Sequence, residues 1–320
     1  MAHAFIKPEV ITSTALGILE QELIMSSLVW TNPGFDFAGA KDDTLTIRLP
    51  GKTTANTFPW RSDRTTDTVQ LNDITEDTTT VTLDTDIYSA VALTDEELSL
   101  DISDFGSQVL RPQVRAVAEY IDASVQGMIT GATYATTVAV APATGASDDE
   151  EAKAIYNGIV EMRTALNSEN VPASGRTLLM GSGVEAALLK GGFLRDASQA
   201  DSDSALREAT VGRLLGFDIV VSNLLPANEM YGFVRSAFVL CTRAPAVPSG
   251  ATFAASQSAN GLSMRWIRDY DPMKLRDRSV VSLFSGLNVV QDVSVTNTPG
   301  DLTKSLVRAV KGTYTPAPLA

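Results

Sequence analysis

The sequence predicts an α+β fold: an N-terminal arm, a β-rich excursion, one long helical rod, and a mixed domain to which strands return late. Three patterns carry that reading. From Phe105 to Ile129, Leu110, Val114, Val117, Ile121, Val125 and Met128 recur at spacings of three and four, one continuous apolar stripe on a helix. From Leu45 to Leu93, apolar residues alternate with threonine and charged residues in period two, the pattern of half-buried antiparallel sheet. Alternation resumes between residues 262 and 293, and the chain shows neither a βαβ cadence nor a repeat period.

Taken in order, Ile11, Ala15, Ile18, Leu19, Leu23 and Ile24 give residues 9–30 a short helical pattern that Trp30 and the Asn32-Pro33-Gly34 turn close. Leu45, Ile47 and Leu49, then Val81, Leu83, Ile87 and Val91, form two strand groups. Between them lies a polar, turn-rich span from Gly51 to Ile74 that displays Phe58-Pro59-Trp60. The simplest shape is a long two-stranded ribbon leaving the body, marginal alone and in need of a neighbour to lie on. Thr94 and Glu97 make a capping box ahead of the rod. Pro112 is tolerable in the rod's first turn, and Gly131 ends it. Residues 135–150 read as a loop or irregular edge, residues 149–166 as a helix, Thr177 to Met180 as a buried strand, and Val184 to Leu189 as a short helix. Strands follow at Phe217 to Val221, Phe233-Val234 and Ala237 to Leu240. The run from Leu302 to Val310 reads as weakly helical.

Charge is unevenly placed. Between Thr65 and Asp104 the chain carries eleven acidic residues and no Lys or Arg. Such a single-sign surface opposes the folded state of a lone compact protein, whereas a subunit meeting copies of itself can set it against a basic surface. It can equally be a solvated face. Basic residues available for pairing are Arg61 and Arg64 upstream, and Arg265, Arg268, Lys274, Arg276 and Arg278 near the far end. The formal net charge of -13 argues against a protein that wraps nucleic acid with concentrated Lys and Arg, though not against one that encloses it. A hydrophobic share of 44% with 20% charged residues is that of a folded chain. The single cysteine, Cys241, lies in the buried-strand sequence Phe238-Val239-Leu240-Cys241, and the single histidine is His3. No apolar run is long enough to span a bilayer, and the N-terminal residues lack a secretory pattern, so residence in the cytoplasm is the expectation.

Catalytic constellations are sparse. Gly181-Ser182-Gly183 lacks both the flanking pattern of a nucleophile elbow and a histidine partner, and a Walker lysine is missing; a strand-to-helix turn needing small residues explains it. Asp84 and Asp86 share one strand face and could meet a hard cation, but no structured loop of oxygen ligands accompanies them. Asp269-Tyr270-Asp271 with Arg265, Arg268 and Arg276 is a mixed cluster more suited to salt bridges than to acid–base work. No catalytic residue, metal site or cofactor is expected.

The order of elements resembles the major capsid proteins of tailed bacteriophages, the HK97-type shell fold, and within them the P22 coat-protein branch. Thr94 to Leu98 before the Phe105 to Ile129 rod resembles the entry to the spine helix. Gly212-Arg213-Leu214-Leu215-Gly216-Phe217-Asp218-Ile219-Val220-Val221-Ser222 is similar to an axial-domain segment, Gly232 to Leu240 to the strand after it, and Gly261 to Asp271 (GLSMRWIRDYD) to a returning peripheral-domain strand. Gly286-Leu287-Asn288-Val289-Val290 completes the pattern. The span 223–260 is too brief for the large inserted β domain of the P22 protein. No Lys, Asn and carboxylate trio for covalent crosslinking maps onto the chain.

The resemblance implies an arm at 1–34, an E-loop hairpin region at 35–93, a peripheral domain with spine helix at 94–134, an axial domain at 135–260, returning peripheral strands at 261–295 and a tail at 296–320. It implies a non-enzymatic coat protein that self-assembles as pentamers and hexamers into an icosahedral shell around double-stranded DNA. Scaffolding, portal and decoration proteins would be partners, with assembly in the host cytoplasm and residence in the virion capsid. The ribbon would lie on the adjacent subunit. Phe58, Trp60, Arg61, Arg64, Asp84, Asp86, Arg265, Arg268, Arg276 and Arg278 are then the candidate interface residues. A nanocompartment shell of encapsulin type and a carboxylate hydrolase stay as alternatives.

Overall fold

The computed structural model describes residues 11–16, 24–31, 44–49, 55–58, 60, 61, 65, 66, 68, 69, 71, 77–97, 105–191, 212–251, 253–259, 262–294 and 303–317. Its centre is the rod. A π-type turn at Gly106–Leu110 runs into α1 (Arg111–Gly131), and Pro112 sits in the first helical turn, where a missing N–H is tolerated. Of the predicted stripe, Leu110, Val114, Val117, Ile121 and Val125 are buried and Met128 is half-buried, while Ala118 and Ile129 join the buried face.

That stripe packs on the first of two six-stranded sheets. Its strands are β1 (Trp30–Thr31), β4 (Thr85–Thr94), β10 (Phe238–Arg243), β11 (Phe253–Ala259), β12 (Leu262–Asp271) and β13 (Arg276–Val289). The 14-residue β13 is the axis. It is antiparallel to β4 over Arg276–Ser285, to β12 over Arg276–Ser282 and to β10 over Phe284–Val289. Fully buried Trp266 on β12 lies at the middle of this core, between Phe105 and Phe253, with ring centroids 6.3 and 5.6 Å away. Its indole N–H donates to Ser279 Oγ (3.0 Å). That hydroxyl donates to Gln113 Oε1 (2.7 Å), whose amide in turn donates to the Ser279 carbonyl (2.9 Å). A buried polar chain thus fixes how the rod sits on the sheet.

The second sheet has the order β5 (Thr137–Val140), β16 (Ala309–Tyr314), β9 (Glu229–Val234), β6 (Arg176–Met180), β8 (Phe217–Val221), β7 (Arg213–Leu214). Helices α2 (Asp148–Ser168) and α3 (Ser182–Lys190) supply its apolar cover through Ile155, Ile159, Met162, Leu166, Val184 and Leu188. Ser147 caps α2: Glu150 N–H donates to Ser147 Oγ (3.4 Å), and Ser147 N–H donates to Glu150 Oε2 (2.9 Å). These bonds hold the Glu150 carboxyl below its usual range. Their contribution is therefore in place above the ordinary carboxylate pKa and is lost as pH falls through the lowered one. Ser147→Ala is expected to cost about 1 kcal/mol in urea unfolding.

One expectation changes. Of the run 302–310, Leu302 lies outside the described residues, and the rest is not helical: β15 (Lys304–Ser305) pairs with β14 (Asp292–Val293), and β16 stands between β5 and β9. Ala309 and Val310 open β16, which forms because a strand on either side is there to pair with it. Within the span 135–150, read as a loop or irregular edge, residues 137–140 form the edge strand β5, paired in parallel with β16.

Helical residues 11–16 bury Ala15 and Leu16 in the main core; residues 17–23 of the expected arm pattern lie outside the described residues. Downstream, the backbone N–H groups of Ile24, Met25 and Ser26 donate to the buried Asp122 carboxylate on α1 at 2.9, 3.2 and 3.1 Å. Arg235 then donates to the Val29 carbonyl at 2.9 Å. The arm's junction with the body is thereby pinned twice.

Candidate assembly surface

The ribbon is narrower than the alternation alone suggests. β2 (Thr44–Leu49) and β3 (Asp77–Thr82) pair antiparallel over six residues each, from Thr44 with Thr82 to Leu49 with Asp77. Residues 85–94 belong to the body as β4, because their odd-numbered side chains have α1 to pack against. The ribbon's base is anchored. Ile47 and Val81 bury with Val239, Cys241 and Val290, and the Asn288 amide donates to the Thr80 carbonyl. Gly286 is required there: a Cβ would lie 2.3 Å from the Thr82 carbonyl oxygen. The Cys241 thiol is raised to about 11 by burial. Thiol reagents are therefore expected to leave the folded protein unlabelled at pH 8 and to label it once unfolded.

Beyond its base the ribbon exposes apolar groups. Trp60 is 87% exposed, Val69 71% and Leu71 93%. Phe58 is half-buried, and Arg61 is exposed with a left-handed φ of 65°. Arg64 lies outside the described residues.

On the body, β4 pairs with β13 on one side and carries no strand on the other among the described residues. Between β4 and α1 run two adjoining cavities of about 260 and 290 Å³. Val91, Leu93, Val109 and Pro112 line the first, and Asp86, Tyr88, Ala116 and Tyr120 line the second. Acidic groups bracket the groove. Asp84 and Asp86 are exposed at one end, Asp84 accepting from the Thr85 hydroxyl (2.9 Å). Asp95, Glu96 and Glu97 are exposed at the other, Glu97 closing the predicted capping box with Thr94.

The basic residues on β12 and β13 are largely engaged within the chain. Arg265 donates to Ser282 Oγ and to the Ala246 carbonyl (2.7 Å); Arg268 pairs with Asp277 (2.5 Å) and lies 4.7 Å over the Phe105 ring. Arg278 pairs with Asp269 at 2.8 Å, both about two-fifths exposed, a pair weak enough to exchange partners. Arg276 keeps a buried Nε with no hydrogen-bond partner among the described residues.

The catalytic candidates resolve into structural contacts. Gly181 N–H donates to the Glu229 carbonyl, and Gly183 and Val184 N–H both donate to the Ala227 carbonyl, so the turn's donors are used. A Cβ on Gly181 would sit 2.2 Å from the Pro226 carbonyl oxygen, which is why small residues stand there. Asp271 accepts from Met273 N–H within the β12–β13 turn, and the Tyr270 hydroxyl donates to Asp95 (2.9 Å). Among the described residues, no three His, Cys, Asp or Glu are grouped to hold a metal, and no helix is long and apolar enough to cross a membrane.

Sequence reasoning missed Asp122 and Arg235, which position the arm. One signal was present for the first: Asp122 stands four residues after Ala118 and three before Val125, a carboxylate inside the apolar stripe.

The sequence signature of the phage capsid protein family matches residues 64–283. A search of curated proteins finds no match. Among solved structures, one from Mycobacterium phage Che8 superposes with a TM-score of 0.60 at 18% identity, covering 91% of this chain and 90% of that one. The asymmetric unit of the bacteriophage PhiM1 mature capsid gives 0.58 at 13% identity over 90% of each chain. The virus-like particle from Pyrococcus furiosus gives 0.53 at 11% identity, covering 95% of this chain and 97% of that one. These likenesses establish the HK97-like fold, and the signature, spanning well over half of the sequence, shows that the chain belongs to the phage capsid protein family.

Proposed function

We propose that this capsid protein is the major, shell-forming subunit of a tailed-phage virion, assembling as pentamers and hexamers into an icosahedral container for double-stranded DNA. One observation carries the reading: a ribbon fixed at its base to the body that presents Trp60, Val69 and Leu71 to solvent. An isolated subunit gains nothing from that display, whereas a ring of copies buries it. The acidic surface around β4 supports register between copies more than affinity. An acidic subunit also suits a container that must not grip its genome. Scaffolding, portal and decoration proteins are the proposed partners, with assembly in the host cytoplasm. Kinship with the P22 branch rests on the segments 212–222 and 261–271.

Imaging of the purified chain, alone and with its scaffolding protein, tests the proposal: closed shells are expected, and a monomer under every assembly condition would overturn it. The likeness to the Pyrococcus furiosus particle sustains a second reading, a nanocompartment. Nuclease-protected DNA inside the native particle favours the virion; enclosed protein cargo favours the compartment.

A further inference from the structure

The free edge of β4 is an open row of backbone groups. Gln113 Nε2 donates at once to the Ser89 carbonyl on β4 (3.2 Å) and to the Ser279 carbonyl on β13 (2.9 Å). One nitrogen reaches both only if both carbonyls point into the gap between these strands. Backbone groups alternate in direction along a strand, so the odd-numbered residues of β4 bond β13. The even-numbered ones, Asp86, Tyr88, Ala90 and Ala92, turn N–H and C=O groups to the free edge. At the far end Glu97 accepts from the Thr94 N–H (2.9 Å), whereas from Asp86 to Ala92 no described group answers. The row contains no Pro, Lys or bulge of the kind that guards exposed edges.

Beside the row, Ile87, Ser89, Val91 and Leu93 face α1 across the two cavities described above. Asp84 precedes the row and Asp95, Glu96 and Glu97 follow it, all exposed. A second β4 is therefore a poor occupant, since antiparallel pairing sets acid against acid. We infer that the free edge of β4 is a strand-addition site for a basic, extended segment of a protein other than this chain. Its backbone ladders onto Asp86, Tyr88, Ala90 and Ala92, and alternate apolar side chains enter the space between β4 and α1. Its Lys or Arg residues meet the carboxylates at either end. The site uses the backbone edge and does not rest on the shell reading.

The probe is a blocked peptide of about ten alternating threonines and valines with lysines at both ends, added to the unassembled full chain. Amide exchange read residue by residue is expected to be fast at Tyr88, Ala90 and Ala92 in the free chain and about tenfold slower with the peptide. Exchange at Ile87, Ser89 and Val91 is expected to be slow throughout. The same peptide ended in glutamates should bind about tenfold more weakly, and Asp84→Lys/Glu96→Lys should reverse that preference. Ala90→Pro removes a donor that the sheet does not use, so it is expected to keep the circular dichroism spectrum and lose the peptide. Slow exchange at Ala90 in the free monomer would overturn the assignment, as would equal binding of the two peptides. Protection of Tyr88, Ala90 and Ala92 when the chain assembles alone would overturn it too, giving the edge to a second copy.

Discussion

Trp266→Ala is expected to destabilise the subunit by about 3–5 kcal/mol, enough to leave much of it unfolded at physiological temperature. The indole is wholly buried where β12, β13 and the start of the rod converge, and alanine leaves a void that Phe105 and Phe253 cannot both fill. Its loss also frees Ser279 Oγ from one partner in the hydrogen-bond chain that ends on Gln113 of α1. Trp266→Phe separates the two effects: it keeps most of the packing and removes only the N–H donor, for about 1 kcal/mol. Urea midpoints of the two variants, measured on unassembled protein, check the pair. Equal losses would mean that the hydrogen bond, and not the volume, dominates.

Asp122→Ala is expected to release the arm at a cost of about 2–4 kcal/mol. Three backbone N–H groups, those of Ile24, Met25 and Ser26, lose their shared acceptor at once. Ile24 is 60% exposed and can turn to water, which keeps the total below three full penalties. Asp122→Asn retains one carbonyl oxygen but points amide hydrogens at donors, so it should fall between alanine and the native residue. Limited proteolysis is the sharper readout: cleavage ahead of Ser26 should accelerate long before global unfolding, and unaltered cleavage would show that Arg235 and β1 hold the junction unaided.

The rod was legible in the sequence because a helix carries its own period: five of the six stripe residues, from Leu110 to Val125, are buried, and only at the end does Ile129 take the inner place expected of Met128. The capping boxes at Thr94/Glu97 and Ser147/Glu150 are local too; the first was read from residue types alone. What local pattern cannot supply is the identity of a strand's neighbours. Residues 309–314 became a strand only through β5 and β9, which lie roughly 80 to 170 positions away. The partition of the 45–93 alternation between ribbon and body failed for the same reason, since β13 decides it from about 190 residues downstream. For the surface, Trp60 and Asp86 were named from composition and charge. Tyr88, Ala116 and Tyr120 were not, because a groove exists only when a helix and a strand leave space between them.

The middle position of β16 has a consequence for how the polypeptide is made. On the ribosome, the segments that become β5 and β9 are translated well before residues 309–314, and until then they lack the strand that joins them. Each nascent polymer therefore displays its exposed hairpin while its second sheet is still unfinished. On crowded polysomes, neighbouring half-made copies are the hazard, since unpaired strands invite mispairing. Late closure around β16 makes emergence of residues 309–314 the step that separates a growing chain from one whose second sheet is complete.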